Sequence, residues 1–154
     1  MNFLEALDTK VEDIKRPPML PLGHYRVAVN KIPTSSVSED KRYEFLDINL
    51  KFLEAADDVD PDELREFGGL GTSTNRNHRF LFNTEEKSAY DRTMYQLKRF
   101  LTDHLKLEAG PATSLREMIN SCVGAQCMVQ IGRRTDKTDK EIIYEDIKGT
   151  APVA

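Results

Sequence analysis

From Lys41 to Phe52 the chain reads KRYEFLDINLKF, alternating with a period of two. On an extended strand Leu46, Ile48, Leu50 and Phe52 share one side and form a full apolar face. The other side carries Tyr43, Phe45, Asp47, Asn49 and Lys51, so two aromatic rings stand among polar and cationic groups where solvent is expected.

The remaining pattern predicts the elements around this strand. Phe3, Leu4, Leu7, Val11 and Ile14 lie on one stripe of a short amphipathic helix over 3–14, expected to clip onto the body or onto a neighbouring subunit. RPPMLPLG (16–23) ends it as an extended crossing arm, because a residue before proline avoids the helical region. HYRVAVNKI (24–32) reads as a first strand, 33–40 as a polar loop, and 41–52 as the second strand. In DDVDPDELREF, Asp60 suits an N-cap, Pro61 the first turn and Glu63 the reciprocal capping position. GGLGTSTNRN (68–77) reads as a flexible loop, and HRFLFN (78–83) as a third strand. Asn83 with Glu86 predicts a cap for a long helix to about Lys106, with Tyr90, Met94, Leu97, Leu101 and Leu105 on its apolar face. Ser114 with Glu117 caps a short helix burying Leu115, Met118, Ile119 and Cys122. AQCMVQIGRR (125–134) and EIIYEDIKG (141–149) are the fourth and fifth strands, joined by a turn at 135–140, and 150–154 reads as a tail.

The predicted order is β-β-β-α-α-β-β behind an N-terminal helix, a mainly β fold with helices. It is the chain order of a five-stranded OB-like barrel, with a β-sandwich or a mixed α+β sheet as alternatives. The expected organisation is an arm (1–22), an OB-like domain (23–149) with an acidic helical insert at 54–67 and a helical unit at 84–122, and a tail (150–154).

At 154 residues the chain suits one domain, and 39% apolar with 31% charged residues places it in the soluble globular class. No apolar run is long enough for a transmembrane helix, so no membrane partner is expected. The acidic, amphipathic start does not read as a secretory signal, and the sparse cysteines, Cys122 and Cys127, suit a reducing cytoplasm. The net charge of −4 conceals a division: residues 53–70 carry seven acids and only Arg65, leaving the rest of the chain mildly basic.

In an OB barrel, oligonucleotides cross the outer face of the second and third strands between two loops. Here those loops are 33–42, ending in Lys41 and Arg42, and 135–140, entered through Arg133 and Arg134 and holding Lys137. The second strand would present Tyr43, Phe45, Asn49 and Lys51, and the start of the third Arg76, His78 and Arg79. Rings to stack on bases among cations for phosphates are what sequence-tolerant single-strand binding needs. Alternatively a bulge could turn Tyr43 and Phe45 inward, or the helical unit could cover them.

The sequence offers no cofactor or metal motif. An EF-hand begun at Asp58 meets Glu63 where glycine is required and Gly69 where glutamate is required. The cysteines and His24, His78 and His104 lack paired zinc spacing, and GGLGTST lacks the Lys-Ser/Thr ending of a P-loop. Without a nucleophile elbow or HExxH, and with no partner for Asp47 as a base, no enzyme is expected.

LPLGHYRVAV, RFLF before a long helix, SLREMINSCVGAQCMVQIGRR and EIIYEDIKG together resemble phage-encoded single-stranded DNA-binding proteins. The shared features are Gly23 and Tyr25 at the first strand, Gly124 after a short helix, and Tyr144 and Ile147 in the final strand. The resemblance implies an OB fold that coats single strands during replication or recombination in the host cytoplasm. Many single-strand binders recruit replication enzymes through an acidic tail. This chain ends GTAPVA, so either its acids at 54–66 recruit replication or recombination proteins or the protein recruits none. The alternative function is a structural or adaptor protein using the same barrel and acidic insert, with the N-terminal helix joining copies.

Overall fold

The computed structural model describes residues 2–72 and 74–153. It contains a six-stranded antiparallel sheet and a few helices: α1 (Phe3–Ala6), β1 (Gly23–Val29), β2 (Thr34–Val37), β3 (Tyr43–Ala55), α2 (Pro61–Phe67), β4 (Asn75–Asn83), α3 (Lys87–Arg99), α4 (Leu115–Ser121), β5 (Gln126–Thr135) and β6 (Ile143–Ala151).

The 13-residue β3 organises the sheet. One edge pairs with β4 from Tyr43↔Asn83 to Lys51↔Asn75. The other edge is shared: β1 takes the C-terminal half, reaching Val29↔Leu50, and β2 continues along the N-terminal half from Thr34↔Asp47. The segment read as a polar loop is therefore partly a strand. Thr34 to Val37 are exposed, so burial did not announce it; β3 runs past the end of β1 and leaves an edge that β2 satisfies. β1 pairs in turn with β5, and β5 with β6. No ladder joins β4 to β6 among the described residues, so the sheet is open.

The predicted parity of β3 holds. Ile48, Leu50 and Phe52 are buried with Tyr25, Val27, Val129 and Ile131 under Leu97, Phe100 and Leu101 of the helical unit. α3 ends in a π-helical turn (Phe100–His104), where Leu105 N–H reaches the Phe100 carbonyl at 2.9 Å.

Capping explains much of α2 and α4. Asp60 accepts from Asp62 N–H at 2.8 Å, Pro61 opens α2, and Gly68 closes it at φ 106°. The expected return bond from Glu63 does not form among these contacts. Ser114 accepts from Glu117 N–H at 3.2 Å. Asn83 instead makes a turn by accepting from Glu85 N–H, which delays α3 to Lys87. β4 begins at Asn75, inside the predicted glycine-rich loop, and β6 includes Thr150 and Ala151 of the predicted tail.

The crossing arm is tied down at Leu20 and Pro21, both buried. Leu20 N–H donates to Glu145 at 2.9 Å, Arg133 donates to the Leu20 carbonyl, and Tyr25 O–H donates to the Pro21 carbonyl at 2.7 Å. Gly23 follows at φ 134°, and a Cβ there would lie 2.7 Å from Val59 Cγ2, so this tight entry excludes other residues. Beyond Arg16 the predicted helix over 3–14 is broken into α1 and a 3₁₀ turn (Val11–Asp13). Phe3, Leu4, Leu7, Val11 and Ile14 are 62–85% exposed, so the stripe does not clip onto its own body.

Candidate nucleic-acid interface

The tip of the β2–β3 hairpin is built by two side chains. Ser38 Oγ donates to Asp40 at 2.7 Å and accepts from Tyr43 N–H, while Asp40 also accepts from Arg42 N–H. The Ser38 hydrogen bond, followed by that from Arg42, holds the Asp40 carboxyl below its usual range. This framework sets Lys41 in the left-handed region at φ 60° and presents Lys41 and Arg42 to solvent. Arg42 pairs with Glu85 at 3.2 Å and lies 5.8 Å from the Tyr43 ring centre. Lys41 makes no ion pair with a described residue.

Along the outer face of β3, Tyr43 and Phe45 are half-buried and neither is turned into the core. Arg79, from the neighbouring β4, grips Asp47 with bonds of 2.7 and 2.9 Å and lays its guanidinium 4.3 Å from the Phe45 ring centre. Asp47 is thus a clamp, with only 16% of its side chain exposed. Leu81 stands opposite Phe45 and is 45% exposed, extending this apolar patch. Its signal lay in HRFLFN, where Leu81 has the opposite parity to buried Phe80 and Phe82.

Asn49 and Lys51, predicted together, play different parts. Asn49 is 7% exposed, donates to Asn75 at 3.0 Å and Asn77 at 2.9 Å, and accepts from Asn30 at 2.9 Å. That ladder across strands uses its polar atoms and leaves it a structural residue, correcting its placement among the contacts. Half-buried Lys51 is on the same face and has no ion pair with a described residue.

Three more predicted contacts belong to the other side of the sheet. His78 packs against Phe80 and Phe100, with ring centres 4.8 and 5.3 Å away. Burial, aided by neighbouring His104, pushes its pKa down to about 4, so at neutral pH it carries no charge for a phosphate. Arg76 is committed to Glu145, the carboxylate that also holds Leu20. Burial works against the Glu145 charge, yet the hydrogen bonds from Arg76 and Leu20 keep its pKa below the usual range. Arg133 is committed to the Leu20 carbonyl. Parity explains these corrections: Arg76 and His78 alternate with outward Asn77 and Arg79, and Arg133 follows buried Val129 and Ile131.

On the β5–β6 hairpin, Arg134 lies 4.8 Å from the ring centre of Tyr144, an aromatic absent from the predicted contacts and 39% exposed. Lys137 is exposed in the turn. Neither cation forms an ion pair with a described residue.

Among the described residues, no group of three or more His, Cys, Asp or Glu is placed to hold a metal ion. Both cysteines are buried thiols, and burial pushes Cys127 up to about 12. No described helix is long and apolar enough to cross a membrane. No protein-family model matches the chain, and no curated protein matches it.

Proposed function

We propose that this chain is a non-enzymatic single-stranded DNA-binding protein built on an open OB-type barrel. The fold supports this through its ladders, which run β4-β3-β1-β5-β6 with helices between β4 and β5. The order suits a partly open five-stranded barrel whose seam lies between β4 and β6. The Arg76–Glu145 pair bridges that seam through side chains.

One observation carries the functional reading: three arginine–aromatic pairs, Arg42 with Tyr43, Arg79 with Phe45 and Arg134 with Tyr144, occur beside cations without acidic partners. A guanidinium over a ring offers a base a flat, cationic surface, and it tolerates any base because each has a π face. Lys41, Lys51, Arg134 and Lys137 are then the phosphate contacts. The strand would be coated during replication or recombination, and the acidic helix α2 would recruit partners. The exposed apolar arm favours a second reading, an adaptor that joins protein chains.

Fluorescence anisotropy of a labelled oligo-dT of about 30 nucleotides tests the proposal, with duplex DNA as competitor. Four free cations predict a log–log salt slope of roughly −3 for a single strand. The double change Tyr43→Ala with Phe45→Ala is expected to weaken binding at least tenfold while the protein remains folded. Absence of binding at low salt, or full competition by duplex, would reject the proposal.

A further inference from the structure

The exposed arm and a groove elsewhere on the molecule have complementary chemistry. Two cavities, of about 560 and 760 Å³, meet at Met94 and Leu115 between α3 and α4. Their apolar lining includes Tyr90, Met94, Tyr95, Leu115, Met118 and Ile119. Tyr95 is 61% exposed, so its ring lies open at the rim. Lys98 and Arg116 also line the groove and have no ion pair with a described residue; Glu44 is the one acid lining it.

The arm supplies what this groove lacks. Phe3, Leu4, Leu7, Val11 and Ile14 fall on one helical stripe and are all exposed. Between them stand Glu5, Asp8, Glu12 and Asp13, four acids unpaired with any described residue, against Lys10 and Lys15. An apolar stripe with an acidic back fits an apolar groove with basic rims.

While the Arg16 contact holds, a helical arm covers little of the chain's own groove. Arg16 donates to the Glu141 carbonyl, which fixes the root of the arm at the turn beyond Thr135. α4 ends shortly before Gln126, at the other end of β5, and nine strand steps separate those ends by about 30 Å. The wall of the groove formed by Ser35 to Val37 is further still, past the end of β1. Twelve helical residues with two extended ones span only about 25 Å from Arg16.

We propose that the arm of one copy folds as a continuous amphipathic helix into the α3–α4 groove of a second copy. The helix is broken in the single chain because its stripe has nothing to bury against, and docking supplies that surface. Glu44, Phe45 and Leu46 of β3 form one wall of the groove, so the interface borders the proposed nucleic-acid face, but self-association reads it out separately from DNA binding.

Complementation between full-length variants tests it. Leu7→Glu places a charge on the exposed arm, and Tyr95→Glu places one at the groove rim, neither at a buried position. By sedimentation velocity the wild-type chain is expected to self-associate, and each variant alone to lose at least tenfold in association constant. Their mixture is expected to recover association, because Tyr95→Glu still offers an arm and Leu7→Glu still offers a groove. Lys98→Glu should weaken the wild-type association several-fold, and added salt should act in the same direction. A wild-type chain that stays monomeric, a mixture that does not recover, or association that survives in both variants would each overturn the proposal.

Discussion

At the residue scale, neighbours on one strand face divide into those whose polar atoms are used and those whose charge is free. Asn49 and Lys51 sit two positions apart on β3, yet Asn49 holds Asn30, Asn75 and Asn77 together while Lys51 has no acidic partner among the described residues. Replacing Asn49 by Ala strands several polar groups and should cost about 1–3 kcal/mol. Thermal unfolding should report a midpoint lower by roughly 2–10 °C at this chain length, with single-strand affinity per folded molecule unchanged. Lys51→Ala should do the reverse, leaving the midpoint in place and flattening the salt slope. If Asn49→Ala weakened DNA binding without lowering the midpoint, its side chain would be a contact after all. The sequence placed both on the outer face, because side-chain direction alternates along any strand. It could not separate them, because the partners of Asn49 lie on β4 and just past the end of β1, distant in sequence.

At the element scale, the end of α3 and the middle of β4 form one aromatic cluster. His78, Phe80 and Phe100 pack against one another edge-on or tilted, and the π-helical turn carries Phe100 into the core at 1% exposure. Burial first, then repulsion from His104, lowers the His78 pKa from 6.5 to about 4, with Asp146 pulling weakly the other way. The unfolded chain therefore takes up this proton at a higher pH than the fold does. Stability is expected to fall as pH drops from 6.5 toward 4, by at most about 1.4 kcal/mol per pH unit from this group. His104, whose pKa burial also lowers, acts in the same direction. Urea unfolding across that range should be flatter for His78→Phe, which keeps a ring between Phe80 and Phe100. An unchanged pH profile would mean that His78 is not held neutral by its burial. The pattern of Tyr90, Met94, Leu97, Leu101 and Leu105 made the long helix legible, since its period reflects helix geometry. The edge strand β2 was not legible: its four residues are all exposed and its existence depends on the length of β3.

At the scale of the whole molecule, the sheet has a closed centre and three strands, β2, β4 and β6, with a single ladder partner among the described residues. β1 is bonded on both sides, whereas β4 and β6 each have one ladder partner and face one another across a side-chain-bridged seam. Native-state hydrogen exchange should find the strongest protection in β1 and the central part of β3, and weaker protection in β4 and β6. The arm before Arg16 should exchange fastest in the monomer. Equal protection in β4 and β1 would mean that the seam is paired in solution. The sequence by itself determined the apolar faces, the caps at Asp60 and Ser114, and the candidate cations and rings. Those depend on side-chain period and on bonds spanning a few residues. Only the tertiary structure decided which cations are free. Arg79 meets Asp47 across 32 positions, and Arg76 meets Glu145 across 69. Charge pairing at such separations is set by strand register, and no local pattern records it.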